Sequence, residues 1–312
     1  MSVAAGECVH VTLADGLSLV LPRASAGQGS SDTGGGRGSA AAGWRGRRDL
    51  AGRGGRAHAY PTARLQKGLL LFDGARDLAE EGVGFGVPVL KRGAQALFAG
   101  SADVEVRDDG AVCTIRILYR VDLVERLAAS GRGTVTPRAL YAAKEALAAV
   151  HRRVPAARGV LTAASSALRR GFGLESVYVP SGPAVEVPVT CVVDRELGDV
   201  RVDAGLAGLP PDVTEIAIMN EQGARAFDRY EDDAGVVLLG GAIGSWDEVS
   251  ATGARFVSAP SGVAFSVARA EGATLRRGRE LVGDRLSWAG FALLAPAGRP
   301  GLSYELHVGR VP

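Results

Sequence analysis

The first segment whose residue types suggest chemistry runs from Glu80 to Lys91 and reads EEGVGFGVPVLK. Two adjacent carboxylates, Glu80 and Glu81, precede alternating glycines, and Lys91 ends the run. Glycines let a ligand approach the backbone closely, and a carboxylate at the lip of a cleft can move a proton or bind hydroxyl groups. We therefore expect Glu80, Glu81 and Lys91 to be catalytic candidates. A glycine-rich β-bulge that only shapes a sheet is the alternative interpretation.

A second polar segment, NEQGARAFDRYEDD, occupies residues 220–233 and follows the strand pattern TEIAIM. Amides and carboxylates bind sugar hydroxyls, and an aromatic ring packs against the apolar face of a sugar. The segment and a nearby tryptophan therefore supply candidate substrate-binding residues, namely Asn220, Glu221, Asp228, Arg229 and Trp246. A polar turn with an exposed strand end is the alternative.

Several other chemistries lack the residues that they need. The four histidines show no metal-binding spacing, and the three cysteines are far apart with no C-x-x-C pair. The glycines of residues 82–86 fit neither a P-loop nor a dinucleotide fingerprint. We therefore expect no metal and no cofactor. The formal net charge is only +2, from 36 basic and 34 acidic residues, whereas a dedicated nucleic-acid binder usually has a strong positive excess. The composition therefore argues against that class of protein.

Residues 22–66 differ in composition from the rest of the chain. They are rich in Gly, Ser, Ala and Arg and have almost no branched apolar residues. Such a segment cannot bury enough surface to offset its ordering entropy, so we expect a disordered insert. A weaker interpretation is that the arginines of residues 44–56 contact phosphates, which would give salt-sensitive binding.

The remaining sequence is organised mainly by apolar residues at every second position. Asp15-Gly16 between CVHVTL and LSLVLP predicts a β-hairpin. Residues 1–21 with 67–125 then form an N-terminal β half, and residues 173–312 a C-terminal β half. Between them, Thr136-Pro137 and apolar spacings of three and four predict a helical hairpin within residues 126–172.

These patterns predict a mainly β fold, an antiparallel two-sheet sandwich with an inserted helical hairpin. Its general outline resembles the supersandwich folds that handle sugars. The N-terminus lacks the pattern of a secretory signal, and no run of 18 apolar residues occurs. We therefore expect a cytoplasmic protein with no membrane contact, and the sequence leaves its oligomeric state open.

The favoured functional hypothesis is a protein that binds or acts on a carbohydrate, with a sugar or sugar acid held in a cleft across one sheet. If it is an enzyme, its carboxylates would do acid–base chemistry. The alternative is a non-enzymatic β-sandwich scaffold or interaction module. The first hypothesis requires the 80–91 and 220–233 segments to face one pocket. The second expects them on separate surfaces, with no concave site that holds convergent polar groups.

Overall fold

A computed structural model describes residues 8–22, 65–93, 95–130, 133–135, 175–282 and 286–311. Almost all of the expected insert, residues 23–64, lies outside this part of the chain. The residues on either side of the insert nevertheless contact each other in the described structure. The Nε2 of Gln66 donates a hydrogen bond to the carbonyl oxygen of Pro22 at 2.9 Å, and Gln66 is buried. Gln66 therefore belongs to the packed structure, although the sequence placed it in the insert.

The described residues form twenty-one strands and one short 3-10 helix, Gly240–Ile243. The first ten strands are β1 Val9–Thr12, β2 Leu17–Leu21, β3 Leu70–Asp73, β4 Arg76–Asp77, β5 Gly84–Arg92, β6 Gln95–Asp108, β7 Val112–Val121, β8 Val124–Ser130, β9 Gly133–Val135 and β10 Glu175–Pro180. The others are β11 Val185–Asp194, β12 Asp199–Gly205, β13 Glu215–Gln222, β14 Arg229–Asp232, β15 Val237–Leu239, β16 Ser245–Glu248, β17 Gly253–Ser258, β18 Val263–Ala268, β19 Thr274–Val282, β20 Leu286–Pro296 and β21 Gly301–Arg310.

Fourteen of these strands form one antiparallel sheet, in the order β15-β14-β17-β18-β21-β12-β11-β7-β6-β5-β13-β20-β19-β16. Strands from both halves of the sequence pair directly in it. Strand β13 lies between β5 and β20, and β11 lies between β7 and β12. The candidate segments 80–91 and 220–233 therefore become neighbours through long-range pairing.

The fourteen-stranded sheet folds into two layers, and the long strand β6 belongs to both of them. Its first residues pair with β5 and its later residues with β7, and the register shifts between Ala99 and Ser101. A bulge of this kind bends a strand and lets it serve both layers. The layers then pack face to face through aromatic rings. The ring centroids of Phe85 and Phe265 lie 5.3 Å apart, and those of Phe256 and Phe291 lie 4.9 Å apart.

A smaller four-stranded sheet, in the order β1-β2-β3-β4, belongs to the same compact unit. Its first two strands pair antiparallel from Val9 opposite Leu21 to Thr12 opposite Ser18. Gly16 between them has a φ of 84°, the left-handed conformation that a tight hairpin turn requires. The hairpin predicted from Asp15-Gly16 is thus confirmed.

A second compact unit contains the three-stranded sheet β10-β8-β9. The sequence assigned residues 126–172 to a helical hairpin, and this assignment is wrong at its start, because residues 126–130 and 133–135 are strands. Strand β8 pairs with β10 over six residues, from Val124 opposite Pro180 to Ala129 opposite Glu175. This pairing outweighs the helix propensity of its alanines. Residues 136–172 lie outside the described part of the chain.

The only helix among the described residues is the four-residue 3-10 segment, which is too short to cross a membrane.

Candidate functional site

The two polar segments meet where β5 begins and β13 ends. Gly84 of β5 lies opposite Glu221 of β13. The backbone N–H of Val83 donates to Oε2 of Glu221 at 3.4 Å. A Cβ at Gly82 would lie 2.8 Å from the carbonyl oxygen of Glu221, so only glycine allows this approach. The glycine-rich strip and the polar segment therefore form one region.

Two buried charges mark this region. Lys67 is 8% exposed and Glu221 is 6% exposed, and no other charged residue whose burial the structure describes is buried. The Nζ of Lys67 donates to the carbonyl oxygen of Glu80 at 3.2 Å. Both side chains thus reach the turn formed by residues 80–83. We call Glu80, Glu81, Glu221, Lys67 and Arg225 the carboxylate site.

Glu80 has an unusual backbone conformation. Its φ is 47°, and Trp246, at 62°, is the only other non-glycine residue with a positive φ in the described segments. A carboxylate oxygen of Asp77 accepts hydrogen bonds from the backbone N–H groups of Ala79 at 2.8 Å and Glu80 at 3.2 Å, which holds the turn. Strained residues of this kind persist where the surrounding structure holds them, and they concentrate at functional sites.

The Glu80 side chain lies over Gly223 and pairs with Arg225. Its Oε2 is 3.1 Å from Nη1 of Arg225, and the side chain is 20% exposed. A Cβ at Gly223 would lie 2.7 Å from Cγ of Glu80, so glycine leaves the space that the carboxylate occupies. The segment that supplies Glu221 therefore also supplies the cation and the gap that position Glu80.

A second arginine, Arg279, lies next to the pair formed by Glu80 and Arg225. The Nη2 of Arg279 donates to the carbonyl oxygen of Ala224 at 2.8 Å, and its Nε donates to that of Phe227 at 3.3 Å. Burial lowers the pKa of Arg279, and the negative charges of Asp228 and Glu80 partly oppose this effect. Asp228 itself is exposed. It therefore lies within electrostatic reach of the same arginine as Glu80, at the margin of the carboxylate site.

Asn220 lies inside the sandwich and not at its surface. It is 0% exposed, and its Oδ1 accepts hydrogen bonds from the backbone N–H of Gly86 at 3.0 Å and the hydroxyl of Tyr304 at 2.9 Å. Its Nδ2 donates to the carbonyl oxygen of Ile218 at 3.4 Å. These bonds hold the bulge between β5 and β13. This geometry is that of a structural residue.

Gln222, which the sequence analysis did not select, has a comparable structural position. Its Oε1 accepts from the backbone N–H of Leu71 at 3.0 Å, and its Nε2 donates to the carbonyl oxygen of Leu69 at 3.2 Å. The side chain is 0% exposed. It therefore ties the start of β3 to the end of β13, beside Glu221.

Lys91 lies away from the carboxylate site, and Arg229 is held by an ion pair. Lys91 is seven residues from Gly84 along β5, a distance of about 23 Å in an extended strand, and it lies opposite Glu215. Arg229 pairs with Glu231, which also pairs with Arg255. The structure thus separates Lys91 from Glu80 and Glu81 and gives Arg229 a carboxylate partner within β14.

Trp246 stacks on Trp288. Their ring centroids lie 4.7 Å apart and their ring planes are 10° from parallel. Trp246 is the extra residue at a register shift in β16. Glu221 lies opposite Gly290, and Gly290 lies opposite Gly278. A Cβ at Gly278 would lie 2.9 Å from the backbone nitrogen of Trp246. Trp288 therefore lies on the strand next to β13, and Trp246 lies three strands, about 14 Å, from Glu221.

The apolar cluster beside Trp246 fills the middle of this sheet face. Trp246 packs against a set of buried residues from β5, β13 and β20 and the segment before them, namely Val83, Val87, Val89, Ala217, Met219, Ala292 and Leu294. Such packing fixes the position of the indole ring. The cluster also separates the carboxylate site from the Lys91 end of the sheet.

Lys67 is the functional candidate that the sequence analysis missed. Lys67, Lys91 and Lys144 are the only lysines among 36 basic residues. In a chain that otherwise uses arginine, a lysine placed directly before a glycine and an apolar strand is the signal that would have found it. Its burial could not be foreseen, because it depends on the turn at residues 80–83.

Two surface openings are lined by described residues. One, of about 610 Å³, is lined by Glu215 and neighbours from β19 and β20, and the other, of about 500 Å³, is lined by Glu231 and its neighbours. Neither is lined by Glu80, Glu81 or Glu221. Among the described residues, no three His, Cys, Asp or Glu side chains are placed to hold a metal ion.

The chain matches no protein-family model and no curated protein. Among solved structures, it is similar to the α-N-acetylgalactosaminidase NagBb from Bifidobacterium bifidum in its GalNAc complex, with 10% identity and a TM-score of 0.42. It is also similar to an α-mannosidase from Enterococcus faecalis V583, with 10% identity and a TM-score of 0.40. The match covers 78% of this chain in both cases, but only 33% and 27% of those longer chains.

Proposed function

We propose that this protein binds a carbohydrate at the carboxylate site. The observation that carries the proposal is the burial of Lys67 and Glu221 at one turn, beside the strained residue Glu80. Burying a charged group costs free energy unless partners compensate it. Buried charges of opposite sign in one place are typical of sites that bind or transform a polar ligand.

The side chains of the site match the chemistry of a sugar. Carboxylates such as Glu81 and Glu221 accept hydrogen bonds from hydroxyl groups, and cations such as Lys67 and Arg225 donate them. The stacked indoles of Trp246 and Trp288 supply an aromatic surface on β20 and β16, one and three strands from the strand of Glu221. Sugars present hydroxyl groups on their edges and C–H groups on their faces, so they suit such a combination.

Acid–base chemistry on the bound sugar is the catalytic form of this proposal. Glu221 is the preferred proton-transfer group because its side chain is shielded from water at 6% exposure. Glu81, at the turn, is the second carboxylate. Glu80 serves as a positioning residue, because Arg225 already engages its carboxylate. A sugar whose glycosidic or anomeric centre lies between Glu81 and Glu221 is the substrate type to test.

The alternative function is a non-enzymatic scaffold or interaction module. The amides of Asn220 and Gln222 favour it, because they bond to backbone groups and a core hydroxyl, and neither residue lines the two openings described above. On this alternative the buried polar groups only fix the sheet register. It predicts that no sugar stabilises the chain.

A thermal-unfolding screen with neutral sugars, amino sugars and sugar acids separates these functions. The proteins to compare are the native chain, Glu221→Gln, Glu81→Gln and the control Glu305→Gln, whose carboxylate is exposed on β21. At 100 times its Kd, a ligand adds about 2.7 kcal/mol, which raises Tm by about 5–10 °C for a domain of this size.

We expect one sugar to raise the Tm of the native chain and of Glu305→Gln clearly more than the Tm of Glu221→Gln and Glu81→Gln. A panel that stabilises none of the proteins contradicts the proposal. Equal stabilisation of all four also contradicts it, because the sugar would then bind elsewhere.

A further inference from the structure

The opening of about 610 Å³ lies at the other end of β13 from the carboxylate site. Glu215 lines it and is six residues before Glu221, a distance of about 20 Å along the strand. Its volume falls within the range of about 300–1,000 Å³ that is typical of small-molecule sites. The opening is therefore separate from the carboxylate site and large enough for a ligand of its own.

Three charged side chains on the rim of this opening have no partner in the described part of the chain. Among the described residues, the carboxylates of Glu215 and Glu271 and the guanidinium of Arg269 form no hydrogen bond or ion pair. Other surface arginines of this chain, for example Arg195 and Arg310, do pair with carboxylates. Charged groups that converge on an opening without pairing with each other remain available to a ligand.

The turn that carries Glu271 is held in place before any ligand arrives. The Nη1 of Arg299 donates to the carbonyl oxygen of Glu271 at 2.8 Å. Gly272 has a φ of 65°, and a Cβ there would overlap the Arg299 guanidinium. The backbone N–H of Arg269 donates to the carbonyl oxygen of Thr252 at 2.7 Å, which fixes the other side of the turn. A preformed site loses less entropy on binding.

The lining combines both signs of charge with an apolar floor. Glu215 and Glu271 accept hydrogen bonds, Arg269 donates them, and the hydroxyl of Thr274 does both. Leu294, with Pro296 and small alanines, supplies apolar surface. A strong anion would face two carboxylates, and a strong cation would face the guanidinium. The lining thus suits an uncharged ligand with several hydroxyl groups and an apolar face.

We propose that this opening is a second ligand site and that it takes a neutral saccharide unit. The site goes beyond the function proposed for the carboxylate site, and each can fail without the other. Glu215 and Arg269 bind hydroxyl groups from opposite sides, and Leu294 contacts the C–H face. Lys91, which lies opposite Glu215 on β5, is at its border.

Amide chemical shifts in two-dimensional NMR spectra of the full chain test this site directly. The probes are glucose, galactose, N-acetylgalactosamine and maltotriose, with glucuronic acid and glucosamine as charged counterparts. We expect at least one neutral saccharide to cause saturable shifts of the Gly272 and Thr274 amides. Glu215→Gln and Arg269→Gln should each weaken that binding about tenfold, which is the usual loss for a hydrogen bond to a charged group.

Two controls separate this inference from the proposed function. Glu221→Gln should leave the Gly272 and Thr274 shifts unchanged, and so should Glu305→Gln. The inference is overturned if no neutral saccharide shifts these amides, or if the charged counterparts shift them as strongly. It is also overturned if Glu221→Gln abolishes the shifts, because binding would then report the carboxylate site alone.

Discussion

The Oδ1 atom of Asn220 accepts a hydrogen bond from the backbone N–H of Gly86, 3.0 Å away, at the point where β5 and β13 change register. The same oxygen accepts a hydrogen bond from the hydroxyl of Tyr304, which lies in the opposite layer. One amide therefore closes a bulge and connects the two layers of the sandwich. The bulge in turn sets the position of Glu221, the next residue along β13.

Replacing Asn220 should destabilise the fold strongly. Asn220→Ala leaves the N–H of Gly86 and the hydroxyl of Tyr304 buried without an acceptor, at a cost of about 2–5 kcal/mol in the free energy of unfolding. Tyr304→Phe removes only one partner and should cost about 0.5–1.5 kcal/mol. Urea unfolding of both variants checks this order. Equal losses of unfolding free energy would show that the hydrogen bond between Asn220 and Gly86 adds nothing to the stability.

Two glycines of β5 should differ in their tolerance of alanine. Gly86 has a φ of 77°, but a Cβ there would meet its nearest neighbour, Sγ of Cys191, at 3.5 Å, an ordinary contact distance. Gly86→Ala should therefore cost about 1–2 kcal/mol from backbone strain alone. Gly84 has a φ of 92°, and its Cβ would lie 2.8 Å from the carbonyl carbon of Gly68.

Gly84→Ala should thus cost more than Gly86→Ala, because steric overlap between two backbones adds to the strain. Denaturant midpoints of the two variants, measured side by side, give the comparison. A smaller loss for Gly84→Ala would contradict the close packing of β5 against residue 68.

The three cysteines should differ sharply in reactivity. Cys8 is exposed, whereas Cys113 and Cys191 are buried. Burial raises the pKa of Cys191 to about 12, and it also raises the pKa of Cys113, with a contribution from the charge of Asp108. The thiolate is the reactive form. A thiol reagent at pH 8 should therefore label one cysteine in the native chain and three after unfolding.

The variant Cys8→Ser provides the control, since it should show almost no rapid labelling. Rapid labelling of two or three thiols in the native chain would contradict the buried positions of Cys113 and Cys191. The measurement needs no ligand and reports on the packing of β7 against β11.

The stability of the chain should depend on the ionisation of Glu231. Burial acts to raise its pKa, but hydrogen bonds and charges from Arg255 and Arg229 outweigh this effect and hold the pKa below its ordinary value. A carboxylate with a lowered folded-state pKa stabilises the fold above its unfolded-state pKa. That stabilisation is lost as the pH falls through the folded-state value.

Glu231→Gln should therefore lower the free energy of unfolding at pH 7 and have a smaller effect at pH 3. Urea unfolding at the two pH values measures the difference. Glu305→Gln, an exposed carboxylate, is the matched control. A loss from Glu231→Gln that is the same at both pH values would contradict the ion-pair account.

Much of the β architecture could be predicted from local patterns. Alternating apolar residues and turn signals indicated the strands, and Asp15-Gly16 indicated the first hairpin, because a strand in a two-sided sheet must alternate its side chains. The helical hairpin was less predictable. It was predicted from Thr136-Pro137 and the apolar spacing that follows, which lie outside the described residues, and of its range only residues 126–130 and 133–135 are described. Pairing with β10 makes residues 124–129 a strand, a long-range contact that no local pattern indicates.

The candidate site likewise contains residues that the sequence could select and residues whose position depends on the fold. Glu80 and Glu81 were selected because they precede alternating glycines, and Glu221 because it belongs to a polar segment of the kind that binds sugar hydroxyls. The structure brings the two segments together. Asn220 has the same chemical type as a ligand-binding amide, but its burial at the bulge gives it a structural position. Lys67 was not selected, because nothing local to it indicates that Glu80 lies within reach.

Most strands, their turns and the residue types available for chemistry follow from local sequence, because they depend on neighbours within a few positions. Which distant strands pair, which charges are buried and which candidates share a site follow only from the folded chain. Those outcomes depend on contacts between residues as far apart as Lys67, Glu80 and Glu221, which are formed only when the whole sheet assembles.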